Sequence, residues 1–259
     1  MTTSPAVLVD RTDTVVRLEF NRPERLNALT GDMMNYAAAN LEELADDPGV
    51  RVFVLTGAGR AFSSGADLAK SSGEGGPRTS TIDAANRLTR ALRAVPQPVL
   101  AAVNGPAVGV GCSFALAADL TVARESAYFL LAFANIGLMP DGGATALVPS
   151  LVGYARATRM AMLAERIPAT RAADWGLITK AVPDDEFDAE IDRLTAHLAK
   201  GPTASYTRIK RAFNATALAQ LEQALGIERA GQAELFRTAD LTEGVAAFKE
   251  KRSPNFLGR

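Results

Sequence analysis

Residues 98–120 read PVLAAVNGPAVGVGCSFALAADL. The run Val99-Leu100-Ala101-Ala102-Val103 is apolar without a break, as in a strand buried on both faces. Asn104-Gly105-Pro106 ends it as a turn. Gly109-Val110-Gly111 then leads into an apolar helix over 112–118. The first amides of a helix lack intrahelical partners, and the helix dipole adds partial positive charge there. Glycine lets a ligand come close to the backbone. The stretch therefore predicts a pocket floor that stabilises an oxygen turning negative during a reaction. The same small residues also suit tight packing of a buried helix on a sheet, and this stretch alone leaves both readings open.

The whole chain fits that local picture. Its 259 residues suit one large domain, or a domain with an appendage, with ample length for a core. Hydrophobic residues make up 47% and charged residues 22%, the balance of a soluble globular enzyme. A net charge of −1 gives no electrostatic case for nucleic acid or an anionic membrane. Cys112 is the single cysteine, so neither an internal disulfide nor a cysteine zinc site is expected. His197 is the single histidine, which removes most metal sites and any Ser-His triad that does not use it. The opening MTTSPAVLVD lacks the pattern of a signal peptide, and no apolar run reaches membrane-spanning length. A cytoplasmic location is the expectation.

Upstream, 7–10 and 14–20 read as a strand pair around Arg11-Thr12-Asp13. Thr30 is placed to cap a helix over 32–46, with Met34, Ala38, Leu41 and Leu44 or Ala45 on its apolar face. A central strand is expected over 50–56. The glycine-rich GAGRAFSSGADL at 57–68 matches neither a P-loop nor a dinucleotide fingerprint. The polar, Gly- and Ser-rich segment 69–81 reads as a mobile loop near the site, followed by a helix over 82–95. Downstream, short strands are expected at 120–123 and 127–131, then a special loop over 133–143 with Asp141 just ahead of a helix over 144–152. Helices follow at 155–164 and 169–175, the latter ended by Gly176, then a strand at 177–182. Asp184 or Asp185 is placed to cap a helix ending at 200, and helices are expected at 203–214, 218–236 and 241–251. The fold class is α/β: ββα units over about 1–195, then a helical region over 196–259.

Four stretches in this order resemble the crotonase (enoyl-CoA hydratase/isomerase) superfamily: NRPERLNALT at 21–30, VLTGAGRAFSSGADL at 54–68, PVLAAVNGPAVGVGC at 98–112 and IGLMPDGGATALVP at 136–149. ADWGLITKAV at 173–182 and EGVAAFKEKRSPNF at 243–256 are similar to its later landmarks. The resemblance implies a spiral of ββα units with a C-terminal helical oligomerisation region, assembled as a homotrimer or dimer of trimers. It implies an acyl-CoA thioester as substrate, with no cofactor beyond the coenzyme A of that substrate. It implies that the amides of Ala66 and Val110 hold the thioester carbonyl as it becomes an enolate. Substrate-binding positions implied are Arg25, Leu26, Ala28, Ser64, Asp67, Leu68, Gly109, Ser113, Phe133 and Pro140, with Arg25, Leu26 and 66–68 along the CoA groove. Lys249 and Lys251 read either as contacts to CoA phosphates or as a solvated helix face.

The family's hydratases use two glutamates. By the resemblance, one position is Ser113 and the other Phe133, so both carboxylates are missing here. A general acid–base needs a pKa suited to its task and reach to the proton, which neither replacement offers. Asp141 is the surviving candidate: an aspartate here shuttles protons in the family's isomerases and is a nucleophile in its aroyl-CoA dehalogenases. Desolvation against an apolar wall including Phe133 raises the pKa of such a carboxyl. Asp141 equally suits the N-cap of the helix expected near Ala144. Cys112 is expected to be inert and buried, and Ser113 to serve helix-end hydrogen bonding. Asp67 is expected to brace its loop, His197 to face solvent and Trp175 to lie in the core. The reading favoured is an enoyl-CoA double-bond isomerase. The alternatives are a hydratase or hydrolase working through a bound water, and a silent acyl-CoA binder. The end of the acyl pocket is expected at 69–81 and the helix after it.

Overall fold

The computed structural model describes residues 5–68 and 79–259. Its main sheet contains β1 (Val7–Thr12), β2 (Val15–Phe20), β3 (Val52–Gly57), β4 (Val99–Val103), β6 (Leu120–Arg124) and β9 (Lys180–Val182), in the order β1-β2-β3-β4-β6-β9. β1 and β2 form an antiparallel hairpin, and every other pairing is parallel. A smaller sheet joins β5 (Ala107–Val108), β7 (Tyr128–Leu130) and β8 (Ile167–Pro168). The helices are α1 (Gly31–Leu44), α2 (Thr79–Ala94), α3 (Val110–Ala117), α4 (Ala144–Leu163), α5 (Ala169–Asp174), α6 (Phe187–Lys200), α7 (Thr203–Thr216), α8 (Leu221–Leu235) and α9 (Ala239–Glu250).

The uniformly apolar strands have a simple cause: helices cover both faces of the sheet. Phe53, Leu55, Val99, Ala101 and Val103 pack into the large core with α1, α2 and α3. The alternate residues Val54, Leu100 and Ala102 pack on the other face with Phe187 and Ile191 of α6. Side chains alternate along a strand, so covering both faces requires every position to be apolar. Thr30 caps α1 as expected, its hydroxyl accepting from the Met33 amide. Met34, Ala38 and Leu41 lie on the buried face, joined by Met33 and Ala37.

Several expectations are corrected. Most of the loop read over 69–81 lies outside the described residues, and Thr79, Ser80 and Thr81 open α2. Neither Asp184 nor Asp185 caps α6: Glu186 holds that position without a side-chain bond. The Asp184 carboxylate instead accepts from the amide and hydroxyl of Ser126. The strand read over 177–182 pairs only at 180–182, because Leu177 and Ile178 donate back to Ala172 at the end of α5. Trp175 is half-buried, its ring beneath the guanidinium groups of Arg156 and Arg159. The helices read at 144–152 and 155–164 form one element, broken at Gly153 by non-helical backbone.

The helices after residue 200 attach through buried polar contacts. Lys210 of α7 is 6% exposed and donates to the carbonyls of Leu92 and Gln97. Its ammonium lies 2.8 Å from Oδ2 of Asp119, whose Oδ1 is 3.1 Å from Arg93. Asp119 Oδ2 also accepts from the Val99 amide at the start of β4. Burial pushes the Lys210 pKa down to about 8, against the pull of Asp119. Asp119→Ala leaves the buried Lys210 and the half-buried Arg93 without their shared carboxylate. The expected cost is about 3–5 kcal/mol, read as a fall in Tm of roughly 10 °C by calorimetry. Lys210→Met, which keeps Asp119 paired with Arg93, is expected to cost much less.

Candidate active site

Three loops meet where the sequence reading places the site. Residues 63–66 run between 27–29 and 107–109. On one side Leu29 N donates to Gly65 O at 2.8 Å and Asp67 N to Leu29 O at 2.9 Å. On the other, Ser63 N donates to Pro106 O at 3.1 Å and Val108 N to Ser63 O at 2.9 Å. In this parallel pattern Leu29 bonds the peptides flanking Ala66, so the N–H of Ala66 points away from Leu29. Gly65, just before Ala66, lies against Val108 and Gly109. There Gly109 donates to Leu130 O at 2.8 Å, and Val110 opens α3 with an amide that has no intrahelical acceptor.

The approach of these loops needs glycine. Gly65 has φ +94°, and a Cβ there would sit 3.1 Å from Val108 O and 3.6 Å from the Gly109 Cα. Gly109, with φ +55° and ψ −131°, turns the chain into α3. Both conformations are open chiefly to glycine. Bracing comes from beneath: the buried Asn27 donates to Ala58 O and Ala61 O, and Ser63 Oγ donates to Asn27 O. Ser64 fixes the 25–26 turn, its amide donating to Leu26 O and its hydroxyl to Arg25 O. Asp67 braces the loop through its own amide and through a 2.9 Å ion pair with Arg22, which also donates to Ala28 O. Arg25 and Ala66 are exposed, while Leu26, Ala28 and Leu68 are half-buried along the same rim.

The third loop carries Asp141. It follows a short 3-10 helix, Ala132–Ile136, in which Phe133 is 8% exposed. The Phe133 ring tip lies 4.0 Å from where a Gly109 Cβ would stand. Pro140 is half-buried on the way to Asp141. A Cβ on Gly142 would meet Val110 Cγ2 at 3.0 Å and Ser113 Cβ at 3.1 Å, so the Asp141 loop rests directly on the start of α3.

Asp141 is 5% exposed. Its Oδ2 accepts from Gln232 Nε2 at 2.9 Å, whereas its Oδ1 is buried with no partner among the described residues. Burial pushes the carboxyl from 3.8 up to about 7; the Gln232 bond opposes the rise and the nearby Glu228 adds to it. The capping reading of Asp141 is overturned. Gly143 is the N-cap of α4, without a side-chain bond of its own. The free amides there are served from α8: Glu228 Oε2 accepts from Gly143 N at 2.8 Å and Oε1 from Thr145 N at 2.8 Å.

Ser113 makes the helix-end contact expected of it only at 3.5 Å, to Gly109 O; its shorter bond, unforeseen in the sequence, is from its buried hydroxyl to Asp141 O at 2.7 Å. Cys112 is fully buried, and desolvation pushes its thiol up to about 12. His197 is exposed on α6, away from these loops. Lys249 and Lys251 are exposed near the end of α9. Among the described residues no group of three or more acidic, histidine or cysteine side chains could hold a metal ion, and no helix is long and apolar enough to cross a membrane. Sequence reasoning missed Glu228 and Gln232. Their signal is the buried stripe Leu221, Leu225, Glu228 and Gln232 on α8, two polar side chains on an apolar face.

Comparison with known proteins gives the family. Residues 10–259 match the family model described as Enoyl-CoA hydratase/isomerase. A Rhodobacter capsulatus protein named "Probable enoyl-CoA hydratase" is 46% identical, over 93% of this chain and 94% of its own. The 1,2-epoxyphenylacetyl-CoA isomerase of Escherichia coli K12 is 40% identical over 95% of each chain. The crystal structure of an enoyl-CoA hydratase from Mycobacterium avium subsp. paratuberculosis superposes with a TM-score of 0.92 at 46% identity, covering 98% of this chain and 99% of that one. The chain belongs to the enoyl-CoA hydratase/isomerase family, the crotonase superfamily.

Proposed function

We propose that this enzyme isomerises an enoyl-CoA through a thioester enolate, with Asp141 as its acid–base. The Asp141 carboxylate removes a proton from C2 of a 3-enoyl thioester. The electron pair moves onto the carbonyl, and the amides of Ala66 and Val110 receive the resulting oxyanion. The same carboxyl, now protonated, delivers a proton to C4; the double bond comes to rest between C2 and C3, and the carboxylate is regenerated. The thioester keeps its coenzyme A throughout, so the step needs no further cofactor.

The observation that carries this reading is the partnerless Oδ1 of a buried carboxyl. A group with a pKa of about 7 is available in both forms near neutral pH, so it can take a proton and return it. Hydration needs a second proton-moving group. The Ser113 hydroxyl is committed to Asp141 O, and Phe133 carries no proton to move. Both oxygens of Glu228, the nearby carboxylate, are already engaged. Hydration through a water held by Asp141 is the second reading, favoured by the name of the Rhodobacter relative. The same proposal has copies of the chain associating through the 196–259 helices, where Phe213 and Phe248 are exposed.

Asp141→Asn is expected to lower kcat for double-bond migration by about 10²–10⁴-fold, with acyl-CoA binding by calorimetry little changed. Retained turnover would remove Asp141 from the chemistry. Water oxygen in the product, traced by isotope label and mass spectrometry, would favour hydration instead.

The proton also leaves a mark on stability. The folded pKa of Asp141 stands above its ordinary value, so the native state holds the proton longer than the unfolded chain does. The stability gained from that proton is fully present below the unfolded value and is lost as pH rises through about 7. Asp141→Asn removes this loss. Its Tm is expected to exceed wild type at pH 8, with the gap narrowing as pH falls and closing only near the unfolded value of 3.8; kcat/KM of wild type should rise between about pH 6 and 8.

A further inference from the structure

Asp141 is held by its peptide frame as well as by its carboxyl. Ser113 Oγ of α3 donates to its carbonyl, and Thr89 Oγ1 of α2 donates to Gly142 O at 2.8 Å. The remaining contacts come from α8, 85 and 91 residues further along the chain. Gln232 Nε2 donates both to Met139 O at 2.8 Å and to Asp141 Oδ2. Gly231 leaves room for the Met139 sulfur against the helix backbone. Glu228, fully buried, accepts from Gly143 N, Thr145 N and the Thr145 hydroxyl.

We propose that Gln232 and Glu228 are positioning residues: through them the C-terminal helix α8 fixes which oxygen of Asp141 carries the proton and where it points. The proposal rests on the reading of Asp141 as the acid–base. The Gln232 amide occupies Oδ2 as a donor, so a proton added to Asp141 goes to Oδ1, the oxygen without a partner. Gln232 cannot turn its amide round freely, because the same Nε2 also serves Met139 O. Glu228 pins the amides of Gly143 and Thr145, which prevents the loop from unwinding into α4. It also places a second carboxylate behind the first. Ser113 on α3 and Thr89 on α2 contribute neutral hydroxyls to the loop, and the 132–136 turn contributes Phe133. Among the described residues Glu228 is the charged group that acts on Asp141 through space.

The two α8 side chains act on the Asp141 proton in opposite directions. The Gln232 bond favours the carboxylate, and the charge of Glu228 disfavours it. This opposition gives a readout that mere loss of packing does not produce. The experiment follows the Asp141 carboxyl carbon by NMR titration of aspartate-labelled full-length protein, with Asp141→Asn identifying the signal. Gln232→Met is expected to move the titration up by roughly one pH unit, and Glu228→Gln to move it down. With a 3-enoyl-CoA, Gln232→Met is expected to lower kcat about tenfold with KM little changed. If Gln232→Met does not fold, the shorter Gln232→Asn replaces it; withdrawing the neutral amide from Oδ2 again moves the titration up. Titrations unmoved in folded variants would overturn the proposal, even if turnover falls. Opposite shifts in a protein that does not move the double bond of any enoyl-CoA would uphold the tuning and instead overturn the isomerase reading.

Discussion

A carboxyl group withdrawn from water, with one oxygen left unpartnered, is the constraint on which this structure turns. Burying a carboxylate without full compensation is costly, and a chain optimised only for stability would pair it or remove it. Here the Asp141 loop lies against the start of α3. Helices α2, α3 and α8 each give the loop a hydrogen bond, and none of those bonds satisfies Oδ1. The rigidity of the loop and the unpartnered state of one buried oxygen are two aspects of a single arrangement.

The opposite wall is made of backbone. Residues 27–29, 63–66 and 107–109 lie side by side like short strands of a sheet, and their mutual bonds turn the Ala66 amide away from Leu29, while Gly65 lies against the turn into α3. Backbone donors of this kind are fixed by the fold before substrate arrives, so they need little reorganisation as charge develops. The identity of the side chain at 110 matters less than the helix start at that position. Glycine at 65 and 109 is what allows the two peptides to lie so close.

Much of this was legible in the sequence. The strand over 99–103 matches β4 residue for residue, and the glycine loop with its helix follows where expected. The α1 cap at Thr30 and the turn at Gly176 are local signals, and both hold. Signals from distant residues were not legible. The two-residue strands β5 and β8 exist through pairing with segments far along the chain, β7 for both and Ser63 for β5, which no local pattern announces. Asp141 ahead of a helix reads as a cap, and the capping is done instead by Glu228 from far along the chain. Gln232 and Glu228 were absorbed into a helix read only for its length. A polar pair interrupting an apolar stripe was the available clue, and its meaning depends on which loop the stripe faces.

The most direct test follows proton exchange between substrate and solvent. A short 3-enoyl-CoA is incubated with the protein in deuterated water and followed by proton NMR. The account predicts migration of the double bond to C2–C3 with deuterium entering at C4, and at C2 of the substrate that remains. Formation of a 3-hydroxyacyl product without exchange at C4 would contradict it, since hydration would then proceed without the paired glutamates that positions 113 and 133 lack.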